Sequence, residues 1–425
     1  MVSKKLTYKN GTRVLFAPLK ETKAVTALIL FPIGSRYEPS AINGSSHFLE
    51  HLFFKGTAKR PSTLEVSKEL DGVGAEYNAF TGKDHTGYYV KVAADKLELA
   101  LDILSDMLYG SLFDPKEIER ERGVIVEEIN MYEDNPMMSL EELFEQTIFK
   151  GNPLGMTIAG PRKVIRTVTR KQLMAYKARF YNPHNLLLTI AGNFDAAKAT
   201  KLTRRYFGDA KGPRVATRFP RFTTTQRTPR TTVKFRETEQ VQMGLGFPAF
   251  GYGDPRMPAL SVLSIILGGN MSSRLFIRIR ERLGLCYFIR SERGVFQDIG
   301  YFMVRAGLEK ARLNEAIGRI WAELKEVRDV PVAADELKRA KEYVRGKILL
   351  GLEDSEEIAD WVAKQLLLQG KIETPEQKIE KLMKVTTKDV QAVAKDVIRA
   401  SQLNLALIGP YKSAAPFRKL VHTLQ

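Results

Sequence analysis

Residues 21–39 read ETKAVTALILFPIGSRYEP, and residues 237–255 read ETEQVQMGLGFPAFGYGDP. Both carry E-T-x-x-V, then F-P, then a closing proline, at a constant offset of 216 positions. The agreement continues downstream. GYYVKVAADKLELALDIL from Gly87 is echoed by GYFMVRAGLEKARLNEAIGRI from Gly300. VTRKQLMAYKARFYNPHNLLLTIAGN from Val168 is echoed by VTTKDVQAVAKDVIRASQLNLALIGP from Val385. Three matches in one order at nearly one offset mark a duplicated unit of about 200 residues. Midway lies KGPRVATRFPRFTTTQRTPR (211–230), rich in Pro and Thr, with six Lys/Arg and no acid, the composition of an exposed linker. The expected domains are 1–210 and 231–425, joined by 211–230.

Within a half, TALILF, GYYVKVA and LLLTIAG are strand-like apolar runs, while LELALDILSDML and PKEIERERGVIVEEINMYED repeat with helical period. Near the start, LTY and VLF flank Asn10-Gly11, a hairpin signal. Adjacent strands followed by runs of helices predict an α+β fold: two homologous domains, each a largely antiparallel sheet packed with helices.

Composition narrows the function classes. With 44% hydrophobic and 27% charged residues over 425 positions, the chain reads as globular. No apolar run is long enough to span a bilayer, and the start lacks the apolar segment of a secretory signal, so no membrane partner is expected. The lone Cys286 excludes an internal disulfide framework and suits a reducing cytoplasm. The net charge of +17 raises nucleic acid as a partner, but the basic residues are mostly dispersed and no nucleic-acid motif accompanies them. None is expected.

The chemistry concentrates in SSHFLEHLFFKG, residues 45–56. His47 and His51 fall one helical turn apart on one face, and two such imidazoles can both reach one Zn²⁺. Glu50 lies on the same side, placed to act as general base. Ser45 or Ser46 can cap the helix and Gly56 can end it. The duplication supplies a control: at offset 216 the three polar residues face Leu263, Ile266 and Leu267. A helix needing only to pack would take the apolar version. In PKEIERERGVIVEEINMYED, the stripe Ile118, Ile125, Ile129 and Tyr132 contains Glu121 and Glu128, with Glu127 on the opposite side. A carboxylate facing the core is costly unless paired or metal-bound. Glu128 is the natural third ligand, and Glu121 a partner that orients the site.

The order H-x-x-E-H and then a distant glutamate resembles the inverzincins, and HFLEHLFFKGT, AEYNAFTGKDHTGYY, ERGVIVEEI and IRERLGLCY resemble the pitrilysin/insulysin family. The likeness is to its short branch, which includes the mitochondrial processing peptidase. The resemblance implies a zinc endopeptidase acting on unfolded peptides in a chamber, with one Zn²⁺ per chain on His47, His51 and Glu128. It implies Glu50 as base, Glu121 beside the ligands, and Asn78, Ala79 and Phe80 on a strand that holds extended peptide. It also implies Arg280 and Tyr287 as a pair completing the site. Because relatives close a chamber with four such domains, it implies a homodimer. The competing reading is a non-catalytic structural or chaperone-like core subunit of the same fold.

Overall fold

The computed structural model describes residues 2–424. It resolves into two compact units. The first contains the chain up to Asn130, Met156–Pro220 and Leu350–Thr374; the second contains Met131–Gly155, Arg221–Leu349 and the chain from Pro375 onward.

The first unit is built on a six-stranded sheet of β1 (Lys4–Thr7), β2 (Arg13–Pro18), β3 (Ala24–Phe31), β4 (Glu76–Thr81), β5 (Thr86–Ala93) and β6 (Leu187–Gly192), in the order β1-β2-β6-β3-β5-β4. The second unit has β7 (Arg230–Phe235), β8 (Gln240–Ala249), β9 (Cys286–Val295), β10 (Gly300–Glu309) and β11 (Asn404–Gly409), in the order β7-β11-β8-β10-β9. Apart from the extra β1, the two orders are the same. Only the β2–β6 and β7–β11 pairs are parallel. The α+β repeat expected from the sequence is the repeat observed.

Both sheets are covered on two faces, which explains why TALILF is apolar without a break. Alternate side chains of β3 go to opposite sides. Val25, Ala27, Ile29 and Phe31 join the large core, which includes side chains of the helices α1 (Ser45–Leu52), α2 (Thr63–Asp71), α3 (Leu97–Gly110) and α4 (Pro115–Asp134). Leu28 and Leu30 turn the other way, onto Ile358, Ala359, Val362 and Ala363 of the Ser355–Gln369 helix.

That helix corrects the expected boundaries. It comes from the second half of the sequence but closes the first sheet, and the Thr26 and Ser355 hydroxyls bond at 2.8 Å beneath it. Reciprocally, helix α5 (Pro136–Ile148) comes from the first half and closes the second sheet: Leu140, Phe144 and Ile148 pack with Met303, Ala406 and Ile408. The units are therefore not contiguous halves. The side chains on each sheet match the helix received. Leu28 and Leu30 meet the alanines, whereas Gly244 and Gly246 stand at the equivalent positions of β8 and admit the Phe144 ring. A Cβ on Gly246 would lie 2.8 Å from Phe144 Cζ.

The 211–230 segment is irregular and mostly exposed up to β7, and the chain changes unit inside it, between Pro220 and Arg221. It is pinned at intervals. Phe219 lies beneath the Arg36 guanidinium at 3.8 Å, and Gln226 Nε2 donates to the Leu403 carbonyl at 3.1 Å. No described helix is long and apolar enough to cross a membrane.

Candidate metal centre

Helix α1 is short, with eight residues, and its start is organised by an acid rather than by its serines. Gly44 occupies the N-cap at φ 99° without a side-chain cap. The buried Glu38 reaches the helix end instead: Oε2 accepts from Gly44 N–H at 2.6 Å and from Asn43 Nδ2 at 2.9 Å, and Oε1 accepts from Ser46 N–H at 2.6 Å. An anion at a helix N-terminus meets both the orphan N–H groups and the positive end of the dipole. Burial pushes the Glu38 carboxyl up, against the pull of these donors. Ser45 and Ser46 have other partners, the Ile42 carbonyl and the Tyr176 hydroxyl, so the expected serine cap is absent. The helix also stops at Leu52, before Gly56.

The helix carries His47 and His51 side by side, ring centroids 4.7 Å apart. Glu128 approaches them from α4, whose buried stripe is Ile118, Glu121, Ile125 and Ile129; Glu128 is half-buried and Glu127 exposed, as the periodicity requires. Glu128 spans the pair, with Oε1 3.5 Å from His47 Nε2 and Oε2 3.4 Å from His51 Nε2. One donor atom from each residue lies within 4.8 Å of the others.

Those separations test the fit to a metal. Charge-assisted N–H···O bonds run at about 2.7–2.9 Å. Four donors arranged tetrahedrally about 2.1 Å from one ion sit roughly 3.4 Å apart. Each histidine–glutamate distance runs to a different carboxylate oxygen, and both exceed the first spacing and are comparable to the second. The donor types, two imidazoles and a carboxylate, are those of a zinc-type site with a position left for water or substrate. Burial opposes charge on His51, but Glu121 and Glu128 outweigh it and raise its pKa to about 9, while His47 and His51 lower that of Glu128 to about 2.

Glu121 is 1% exposed and its Oε2 lies 3.0 Å from His51 Nδ1. Glu50, on the same helix as the histidines, accepts a hydrogen bond from the Thr81 hydroxyl at the end of β4. Asn78, Ala79 and Phe80 lie on β4, which is an edge of its sheet, and α1 packs beside that strand. Ala79 belongs to the core on the α1 side, whereas Phe80 turns to the opposite face, toward the helix received from the second half. On that strand the Phe80 side chain does not face the histidines.

In the second unit, Arg280 lies in a π-helical segment, Phe276–Arg282, and its guanidinium lies 5.7 Å from the centre of the Tyr287 ring on β9. Tyr287 is 74% exposed. Leu263, Ile266 and Leu267 are all buried in the core of this unit, as a purely packing helix demands.

Sequence reasoning missed Glu38, Thr81 and Lys55, whose ammonium lies 2.7 Å from Glu121 Oε1. Lys55 alone had a local signal, four residues after His51.

Residues 13–162 match the family model described as insulinase (peptidase family M16), and residues 167–344 match the peptidase M16 inactive domain. An uncharacterized zinc protease of Streptomyces coelicolor is 36% identical over 96% of this chain and 90% of its own. One of Bacillus subtilis is 34% identical over 96% of this chain and 98% of its own. The chain belongs to peptidase family M16. The matched insulinase region contains His47, Glu50, His51, Glu121 and Glu128, while Arg280 and Tyr287 lie in the region matched to the inactive domain. Two solved structures share the fold. A protease from Helicobacter pylori superposes with a TM-score of 0.90 at 24% identity, covering 96% of this chain and 99% of its own. An M16 inactive-domain protein from Pseudomonas fluorescens gives 0.89 at 19%, covering 97% and 99%.

Proposed function

We propose that this chain is a zinc endopeptidase that hydrolyses unfolded peptides. The observation carrying the reading is the convergence of His47, His51 and Glu128, whose donor atoms lie within 4.8 Å of one another, with Glu50 on the same helix and an open sheet edge beside it. These three side chains would hold the ion. When bound, zinc supplies Lewis acidity that polarises a peptide carbonyl and brings the pKa of water toward ~7.

The remaining steps belong to the chain. β4 has a free edge, so an extended peptide can pair with it through main-chain hydrogen bonds with little dependence on side chains. That mode suits unfolded substrates and excludes folded ones. Glu50 takes a proton from the attacking water and returns it to the leaving amine. The Thr81 hydroxyl occupies Glu50 Oε2, leaving the other oxygen to do so. The exposed Tyr287 hydroxyl is suited to donate to the oxyanion that develops on the carbonyl, and Arg280 to hold it in place. Possession of both residue sets in one chain supports a homodimer, and the single cysteine supports a cytoplasmic setting.

The test is metal analysis together with cleavage of an unstructured peptide, with and without chelator. The purified chain should hold one zinc and lose activity to the chelator, while Glu50→Gln keeps zinc and loses turnover. Wild-type-like cleavage by Glu50→Gln would remove its role as base. A wild type that takes up no zinc would end the peptidase reading.

A further inference from the structure

We propose that Lys55 is a positioning residue for the metal centre, acting through Glu121 on the ligand His51; this rests on the zinc reading above. Glu121 is 1% exposed, so its carboxylate has lost nearly all contact with water. Each of its oxygens has a separate partner. Oε2 lies 3.0 Å from His51 Nδ1, and Oε1 lies 2.7 Å from Lys55 Nζ. The ammonium distance is that of a charge-assisted hydrogen bond.

The consequence for His51 follows from the imidazole itself. A neutral imidazole has one N–H donor and one lone-pair nitrogen. With zinc bound His51 is neutral, and pairing Nδ1–H with Glu121 makes Nδ1 the donor and would leave the Nε2 lone pair, on the side of Glu128, for the ion. That arrangement holds only while the carboxylate keeps its orientation. Lys55 restrains the oxygen that His51 does not, and so fixes the plane of the group. It is also well placed to do so. Lys55 follows His51 by four residues, and its N–H bonds the Leu52 carbonyl at 3.1 Å, so ligand and restraint leave the same turn of chain.

Formal charge points the same way. Glu50, Glu121 and Glu128 contribute three formal negative charges and Lys55 one positive, so a bound dication would bring the cluster to neutrality. Removing Lys55 leaves a buried carboxylate oxygen without its ammonium and the cluster one unit negative, so that Glu121 is held by His51 alone and its plane is no longer fixed.

The experiment is zinc affinity by competition with a chelator, on wild type, Lys55→Met, Lys55→Arg, Glu121→Gln and the Lys55→Met/Glu121→Gln double variant. Lys55→Met should bind zinc roughly ten- to hundredfold more weakly, the range for loss of a group that orients a metal ligand. Lys55→Arg should stay near wild type. The double variant should be little weaker than Glu121→Gln alone, because both act along one path. If Lys55→Met fails to fold, Lys55→Gln, which keeps an uncharged N–H donor group, should fall between Met and Arg. Wild-type zinc affinity in a folded Lys55→Met or Lys55→Gln protein overturns the inference while leaving the peptidase reading intact. Additive losses in the double variant also overturn it. Absence of zinc binding in the wild type overturns both.

Discussion

Phe144→Ala probes the exchange of helices that closes the two sheets. The Phe144 ring is fully buried, 5.3 Å from the Tyr301 ring, and lies over the two glycines of β8. Emptying such a site costs about 3–5 kcal/mol. At about 2–4 °C per kcal/mol for a unit of this size, Tm should fall by roughly 6–20 °C. Gly244 turns this into a sharper test. A Cβ there would meet Phe144 Cδ2 at 3.3 Å and Met303 Sδ at 3.0 Å, so Gly244→Ala in the wild type should cost about 1 kcal/mol through crowding. Once the ring is gone, the flexible Met303 is the one crowded neighbour left, since the Cβ of residue 144 stays at an ordinary 3.6 Å. The same substitution should then stabilise by roughly 0.5–1 kcal/mol, from reduced backbone freedom and partial filling of the void. Urea unfolding of the four proteins measures the coupling, expected at about 1.5–2 kcal/mol in favour of the double variant. If Gly244→Ala destabilises both backgrounds equally, α5 does not seat on β8 as described.

Two further tests reach other parts of the molecule. Burial, with a smaller contribution from the Lys364 ammonium, lowers the His85 pKa to about 3. An unfolded histidine takes its proton near pH 6.5, so the unfolded state binds more protons between those values. The contribution to stability is therefore complete above about pH 6.5 and is lost as pH falls toward 3, at up to about 1.4 kcal/mol per unit. His85→Asn should flatten that acid slope in unfolding free energy, and equal slopes would refute it. Tyr287→Phe should leave Tm within about 1 °C, because the side chain is 74% exposed, yet lower kcat roughly a hundredfold if the hydroxyl meets the oxyanion. Unchanged kcat would remove that role.

Much of the architecture was readable from residue order. The α4 helix spans 115–134, the stretch that the pattern marked, and Glu121 and Glu128 lie on the side that its period assigned. The strands containing TALILF, GYYVKVA and LLLTIAG formed as expected. These features depend on neighbours within a turn or two, so sequence spacing carries them. The capping of α1 did not follow from local residue types. Serines beside a helix start are ordinary caps, but the buried Glu38 competes for the same N–H groups and prevails. Phe80 was expected alongside Ala79 at a peptide-binding strand, yet alternation sends their side chains to opposite faces.

Duplication, helix period and ligand order are properties of the linear chain, since each is set by spacing along a backbone of known geometry. Which helix closes which sheet, and which ammonium holds Glu121, were settled only by folding. Leu28 and Gly244 carry no local mark of the helix they will meet, because the alanines and the phenylalanine that select them lie a hundred or more residues away. Burial gives such distant pairs their energy, and a sequence records burial only after the chain has closed around it.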